Sequence, residues 1–508
     1  MKGRKIVSTL LALLLFAGLP VSALADTWDI SKGDIAVNAG SGGQTVTQGG
    51  GAAVEDSAPV ITGSSTENTL TIKAESGQTA NVTLSGANID VSGKGKAAVS
   101  TNGEGNVSIE LNGDNTLKSG KGHAGLEKKN GGKLTIADED KNGKLTAEGG
   151  KYGAGIGGGD QGAGSGITIT GGEIKATGGQ YGAGIGGGKG DGSDITISGG
   201  EVNATGGTSG AGIGGGYNGN GSDITITDGE VNATGGKYGA GIGGGEYGIG
   251  KDIIITGGEV NATGGRFSAG IGGGSRGTGS DITISGGEVN ASGGVNGAGI
   301  GGGLRSKGKD ITVSGDTKLK VQGGDEDHYD GAGAGIGDGG SRPKGSTGGS
   351  PIPGAEVEPD TSGLTTNGSI EYYAPGADME KDKPTSTTTG KPTEPGKPTE
   401  PAVPEQPEAE RGAAAPLYRV TDRDGRDIAC TAEQKGGVLT VTVDEDFAVL
   451  TSSLSGMTAL RAQGVEKIIF VTNGAKTAVK LSAIISKLTA NGVFRLTHDG
   501  KAVTFTLG

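Results

Sequence analysis

Large rings are nearly missing from this chain: phenylalanine, tyrosine and tryptophan together make up 3% of its 508 residues. A broad core built on aromatic side chains is thereby excluded for most of the length. Cys430 is the single cysteine, so no disulfide can form within one chain, and the lone thiol reads as a small buried apolar residue. Positive charge is also short: the formal net charge is −13, which argues against nucleic acid and anionic lipid as partners. Neutral sugars, cations and proteins remain. Beyond the first residues no apolar run approaches the roughly 18 that a membrane span requires.

The one apolar run, Ile6–Leu19, follows Lys2, Arg4 and Lys5 and precedes Ala23-Leu24-Ala25. Those features describe a secretory signal over 1–25 with cleavage before Asp26. Export without membrane insertion is the expectation, to an extracellular or loosely surface-associated location. The residue directly after the cleavage point is Asp26 and not cysteine, and the C-terminus carries no hydrophobic tail with basic residues. Neither a lipid anchor nor a sortase-type wall anchor is therefore expected.

What the chain has in excess is glycine, 113 residues of 508, roughly three times the ordinary share. The glycines are periodic. GAGIGGG occurs at 153–159, 182–188, 210–216, 239–245 and 297–303, with SAGIGGG at 268–274. Its isoleucines, Ile156, Ile185, Ile213, Ile242, Ile271 and Ile300, recur every 28 or 29 residues, and a degenerate copy places Ile336 after 36. Two further segments lie between copies, typified by Asp194–Ser198 (DITIS) and Glu201–Thr205 (EVNAT). Both alternate apolar and polar with the period of a half-buried strand. Ile195, Ile197, Val202, Ala204, Ala211 and Ile213 are assigned to the inside.

No single unit can bury its own apolar face, so the copies must stack, each strand pairing with its equivalent above and below. The predicted fold is mainly β: a right-handed parallel β-helix, or β-solenoid, with 28–29-residue coils. It should occupy 26–340, with the glycine-rich repeats at 150–340, wider coils upstream and an N-terminal cap in 26–65. The glycine-only side of GAGIGGG is read as a flat outer face open to a ligand.

The run NVSIELNGDNTLKSGKGHAGLEKKNGGKLTI at 106–136, then GKLTAEGGKYGAGIGGG at 143–159, resembles the secreted clostridial-type parallel β-helix proteins described as carbohydrate-binding domain-containing. Trp28–Ile35 (WDISKGDI) is similar to their opening strand. The resemblance covers roughly 26–340 and implies a β-helix shaped like that of pectate lyases, with a polysaccharide ligand. It transfers no binding residue.

Residues 341–416 turn to Pro, Thr, Gly, Glu and Lys and predict a disordered linker, within which Gly368–Tyr373 offers a short strand able to dock on the solenoid. Residues 417–508 predict a small α/β domain. Its helices are placed on Phe447, Leu450, Leu454, Met457 and Leu460, and on Leu481, Ile484, Ile485 and Leu488; Asn491-Gly492 is a helix stop.

Four of the few rings recur at one position of the repeat: Tyr152, Tyr181, Tyr238 and Phe267. Stacked at about 4.8 Å, they could present a strip to the apolar faces of sugars, or merely brace the corner. Outward acids also align, as Glu173, Glu201, Glu230, Glu259, Glu288 and as Asp194, Asp223, Asp252, Asp281, Asp310. Calcium would relieve their repulsion, but the calcium-binding nonapeptide repeat has a nine-residue period, so no cofactor is expected. The insertion Asp325–Asp330 breaks the repeat; Asp325, Asp327, His328 and Asp330 are candidate metal ligands or an acid/base set. The leading expectation is a non-catalytic glycan-binding or surface-interaction module. A stalk displaying the C-terminal domain comes next, and a polysaccharide lyase or hydrolase third.

Overall fold

The computed structural model describes residues 26–342 and 350–389 and, within the C-terminal part, residues 418–423, 428, 430–435, 437–453, 457, 460, 461, 465, 467–481, 484, 493–500 and 502–507. Residues 1–25, where a secretory signal is expected, and residues 390–417 lie outside the described residues. The chain divides into two compact units after Lys397. Among the described residues no helix is long and apolar enough to cross a membrane.

The first unit is a parallel β-solenoid with coils of about 29 residues, its strands gathered into sheets of 19 and 13. Equivalent residues stack in register: Ile185 on Ile213 on Ile242, Ile195 on Ile224, and Val202 on Val231. All six positions assigned to the inside are at most 1% exposed. Each fully buried aliphatic side chain contributes about 1.5–3 kcal/mol, and the ladder repeats that gain coil after coil. The two alternating segments fuse into one strand in two coils, Gly192–Thr205 and Gly221–Thr234. Elsewhere they separate, as in Gly250–Ile255 and Glu259–Thr263. The GAGIGGG rung is only Ile213–Gly214 in strand conformation.

Two expectations about the repeat change. The glycines of GAGIGGG are buried rather than an open face. A Cβ on Gly243, whose φ is +131°, would lie 2.0 Å from the Gly272 carbonyl oxygen of the next coil. Glycine is needed there because backbone rests on backbone. The aspartate column is likewise set by conformation. Asp194, Asp223, Asp252, Asp281 and Asp310 have φ between 49° and 56°, and the pairing register passes from Ser193–Ser222 to Ile195–Ile224 without them. In the preceding coil the same place is held by Gly166, φ +67°. A left-handed residue is required, and aspartate adopts that region at low cost.

The glutamates do stack in register from Glu173 to Glu288. Lysines close the column: Lys144 Nζ lies 2.6 Å from Glu173, and Lys318 follows Glu288. Beside it, Asn232, Asn261 and Asn290 each donate a side-chain N–H to the asparagine one coil back, at 3.1, 2.9 and 2.7 Å. The EVNAT asparagines thus form a continuous hydrogen-bonded ladder.

Upstream, Leu70, Val99, Leu126 and Ile156 share one rung position at spacings of 29, 27 and 30 residues, so these coils average about the length of the later ones. They are not wider. The first end is covered by a hairpin of Ile35–Gly40 and Gly43–Gln48, with the Trp28 indole donating to Asp56 at 2.8 Å.

The linker expectation at 341–416 is overturned for 350–389. Ser369–Tyr373 adds a parallel strand to Lys318–Gln322, as the short docking strand anticipated, and Ser386–Thr389 closes that edge antiparallel. The Glu356 carboxylate accepts the N–H groups of Gly335 and Ile336 at 2.7 and 3.1 Å. That side chain ends the isoleucine ladder by satisfying donors the next coil would otherwise take. A closing cap buries few side chains, chiefly Leu364, Ile370 and Tyr373, so its composition resembles a linker.

The second unit holds two four-stranded sheets around Val441, Leu450, Ile468, Phe470, Phe494 and Leu496. Phe447–Ser453 is a strand, not the start of a helix: Ala448, Leu450 and Ser452 alternate inward. Met457, Leu460, Arg461, Leu481 and Ile484 have helical backbone; Leu454, Ile485, Leu488 and Asn491-Gly492 lie outside the described residues. Cys430 is exposed rather than buried, because it precedes Thr431–Lys435, which pairs along one side only.

Candidate functional site

The turns flanking each Ile–Gly rung carry the rings. The turn after one rung hydrogen-bonds to the turn before the rung of the preceding coil: Tyr217 N–H donates to Tyr181 O at 2.8 Å, Ser275 to Tyr238 at 3.0 Å, and Leu304 to Phe267 at 2.8 Å. Two columns of side chains are thereby joined into one strip along the solenoid. Tyr152 and Tyr181 stack at 5.3 Å between centroids, and Tyr238 and Phe267 at 6.0 Å. The four rings anticipated from the repeat therefore form two pairs. Ser209 separates them in sequence order, its hydroxyl donating to Glu246 at 2.7 Å.

Tyr217 and Tyr247 supply a second column that the repeat had not indicated. Tyr181 meets Tyr217 edge-on at 5.5 Å, and Tyr217 meets Tyr247 at 6.2 Å. They occupy the fourth and fifth residues after Ile213 and Ile242, so they fall out of phase with each other in an alignment. The usable signal was the two-residue variable stretch after every GIGGG. Most of these rings are half-buried, and Tyr247 is 45% exposed.

Cations cover the strip. Lys151 Nζ lies 5.4 Å from the Tyr152 centroid and 5.9 Å from that of Tyr181. Lys237 is 5.1 Å from Tyr238, the Arg266 guanidinium 4.7 Å from Phe267, and that of Arg276 5.8 Å from Tyr247. These are cation–π distances, worth about 0.5–1 kcal/mol at exposed sites.

At the C-terminal end the strip deepens into a groove of about 350 Å³ between Tyr238, Tyr247, Phe267, Arg276, Leu304 and Arg305. Four of those residues have left-handed backbone: Tyr247 at φ 66°, Phe267 at 83°, Arg276 at 64° and Arg305 at 58°. One coil earlier the place of Tyr247 is held by Asn218 at φ 58°, a residue type that adopts that conformation readily. A bulky residue there costs about 1–2 kcal/mol. Such cost concentrates where function requires a side chain.

The insertion at 325–330 forms one wall of the groove through Asp327, Tyr329 and Asp330, and its candidate metal set is not brought together. Asp330 is held by Arg305 through two bonds of 2.8 and 2.7 Å. One Asp327 oxygen accepts the Tyr329 and Asp330 N–H groups at 2.9 and 2.8 Å. His328 packs its ring against Tyr329 at 4.8 Å, and Asp325 accepts the Asn296 N–H through its main-chain carbonyl at 2.8 Å. Arginine and backbone donors take the oxygens a cation would need. Among the described residues no group of three or more His, Cys, Asp or Glu could hold a metal ion.

No curated protein and no solved structure matches the chain. The pattern of a family described as β-helix repeat matches residues 141–160, 167–189, 195–217, 224–246, 253–275 and 282–304. Those segments carry the isoleucine rungs and the turns of the strip, and on them this chain is similar to parallel β-helix repeat proteins.

Proposed function

We propose that the solenoid is a non-catalytic binding module that holds a glycan along the aromatic strip, in a protein exported to the outside or the surface of the cell. The observation that carries this reading is the groove at Tyr247 and Arg276, where bulky side chains occupy a left-handed backbone position that the coil before gives to Asn218. Corner bracing alone would be served better by the cheaper residues. Half-exposed rings offer flat apolar area to sugar C–H faces, and the Arg276 guanidinium beside Tyr247 adds donors for hydroxyl recognition. The resemblance to secreted carbohydrate-binding β-helix proteins agrees with this. A binding role is favoured over hydrolysis or elimination because the groove carboxylates are engaged, Asp330 by Arg305 and Glu246 by Ser209.

Affinity electrophoresis of the whole protein through gels containing soluble polysaccharides tests the proposal, run beside a melting curve. Replacing Tyr181, Tyr238 and Phe267 together by alanine should abolish retention while the thermal midpoint falls only a few degrees, roughly 0.5–1.5 kcal/mol per ring. Retention that survives the triple substitution would make the stalk reading the better one. Release of shortened product would establish an enzyme.

A further inference from the structure

Resting on the glycan reading, we infer that the ligand of the strip is an anionic polysaccharide, whose acidic groups meet the cations held over the rings. The chain as a whole repels such a polymer, with a net charge of −13. The strip differs from that average. Lys121, Lys151, Lys237 and Arg276 each lie over a strip ring, and none has a carboxylate within ion-pair distance among the described residues. Two further strip cations do meet an acid, Lys189 near Asp160 and Arg266 near Asp327. Off the strip some lysines are paired, as Lys144 with Glu173 and Lys251 with Asp252, and others, such as Lys133 and Lys175, stand alone among the described residues without a ring beneath them. In an acid-rich protein, unpaired cations gathered on one strip need a reason, and an acidic ligand supplies one.

The acidic columns do not cancel this field. Glu201 opens the last five residues of the strand Gly192–Thr205, before the turn carrying Ser209. At about 3.3 Å per residue, that stretch alone separates the glutamate column from the turn by about 13 Å. The Debye length at physiological ionic strength is about 8 Å, so a bound polymer is governed by the cations it touches. A ring beneath and a cation above also fit one residue of such a polymer: the apolar sugar face lies on tyrosine while its carboxylate or sulfate group pairs with the neighbouring lysine or arginine.

Matched polymers decide the question. Retention of the whole protein should be measured on dextran sulfate against dextran, and on carboxymethylcellulose against hydroxyethylcellulose. The anionic member of at least one pair should bind about tenfold or more tightly than its neutral partner, and the difference should shrink on raising salt from about 50 to about 300 mM. The triple variant Lys151→Gln, Lys237→Gln, Arg276→Gln, with unchanged melting, should lose the preference. Equal retention on both members of every pair would overturn the anionic inference and leave the glycan reading standing. Retention on none would overturn both. A preference that survives the triple variant would place the acidic groups elsewhere and overturn the inference.

Discussion

The two units bury apolar surface from opposite compositions. In the C-terminal unit Phe470 and Phe494 are fully buried and anchor a core with Leu450, Ile468 and Leu496. In the solenoid the continuous core is isoleucine, valine, leucine and alanine, with Trp28 and Tyr372 packed against it. Its repeated coils place their rings outside, on the strip. Aromatic residues are thus structural in one unit and available to a ligand in the other. The solenoid can spare them because register and close coil-to-coil contact replace bulk, and glycine makes that contact possible.

The contrast is broken most severely through glycine. Gly243→Ala would place a methyl group 2.0 Å from the Gly272 oxygen at a φ of +131°; the expected loss is about 3 kcal/mol or more. Gly42, with nothing within 4 Å of its Cβ position, should accept alanine within about 0.5 kcal/mol. Denaturant unfolding of the two variants measures the difference, and equal effects would contradict coil contact as the source of stability.

A smaller effect separates the units by pH. His498 is fully buried in the second unit, its ring nitrogens 3.1 Å from the Thr472 hydroxyl and 2.9 Å from that of Thr477. Burial holds its imidazole below the ordinary value of 6.5, so the unfolded state binds the proton more readily. The resulting stability is complete above about pH 6.5 and is lost as pH falls through the lower folded value. The unfolding transition of the C-terminal unit should weaken between about pH 7.5 and about pH 5.5, and His498→Gln should flatten that dependence. An unchanged slope in the variant would mean that other groups carry it.

Much of the solenoid was legible because every inward position repeats: six copies of one heptapeptide fix coil length, register and the inside set from Ile195 to Ile213. Features that depend on backbone conformation were not. The column from Asp194 to Asp310 reads as charge until Gly166, at the same place, reveals a left-handed site. The GAGIGGG glycines read as an open face because a sequence does not show the carbonyl lying against each of them. Tyr217 and Tyr247 sit one position apart in their turns and so look unrelated, although main-chain bonds between turns bring both into one strip. The cap at 350–389 satisfies edge donors with Glu356 and buries little, so composition alone made it a linker. In Phe447–Ser453, apolar residues three apart mimic a helix while the inward set alternates.

The central claim is that the strip sacrifices backbone comfort for binding, and Tyr247→Asn combined with Arg276→Asn tests it most directly. Asparagine is the residue the solenoid itself uses at the equivalent Asn218, φ 58°. Relief of left-handed strain is worth about 1–2 kcal/mol per site, against which the lost ring and cation contacts, about 0.5–1.5 kcal/mol each, must be set. The melting midpoint of the double variant should therefore hold or rise while retention on polysaccharide gels disappears. A lowered midpoint with retention intact would show that these side chains hold the corner together and that the strip is not the binding site.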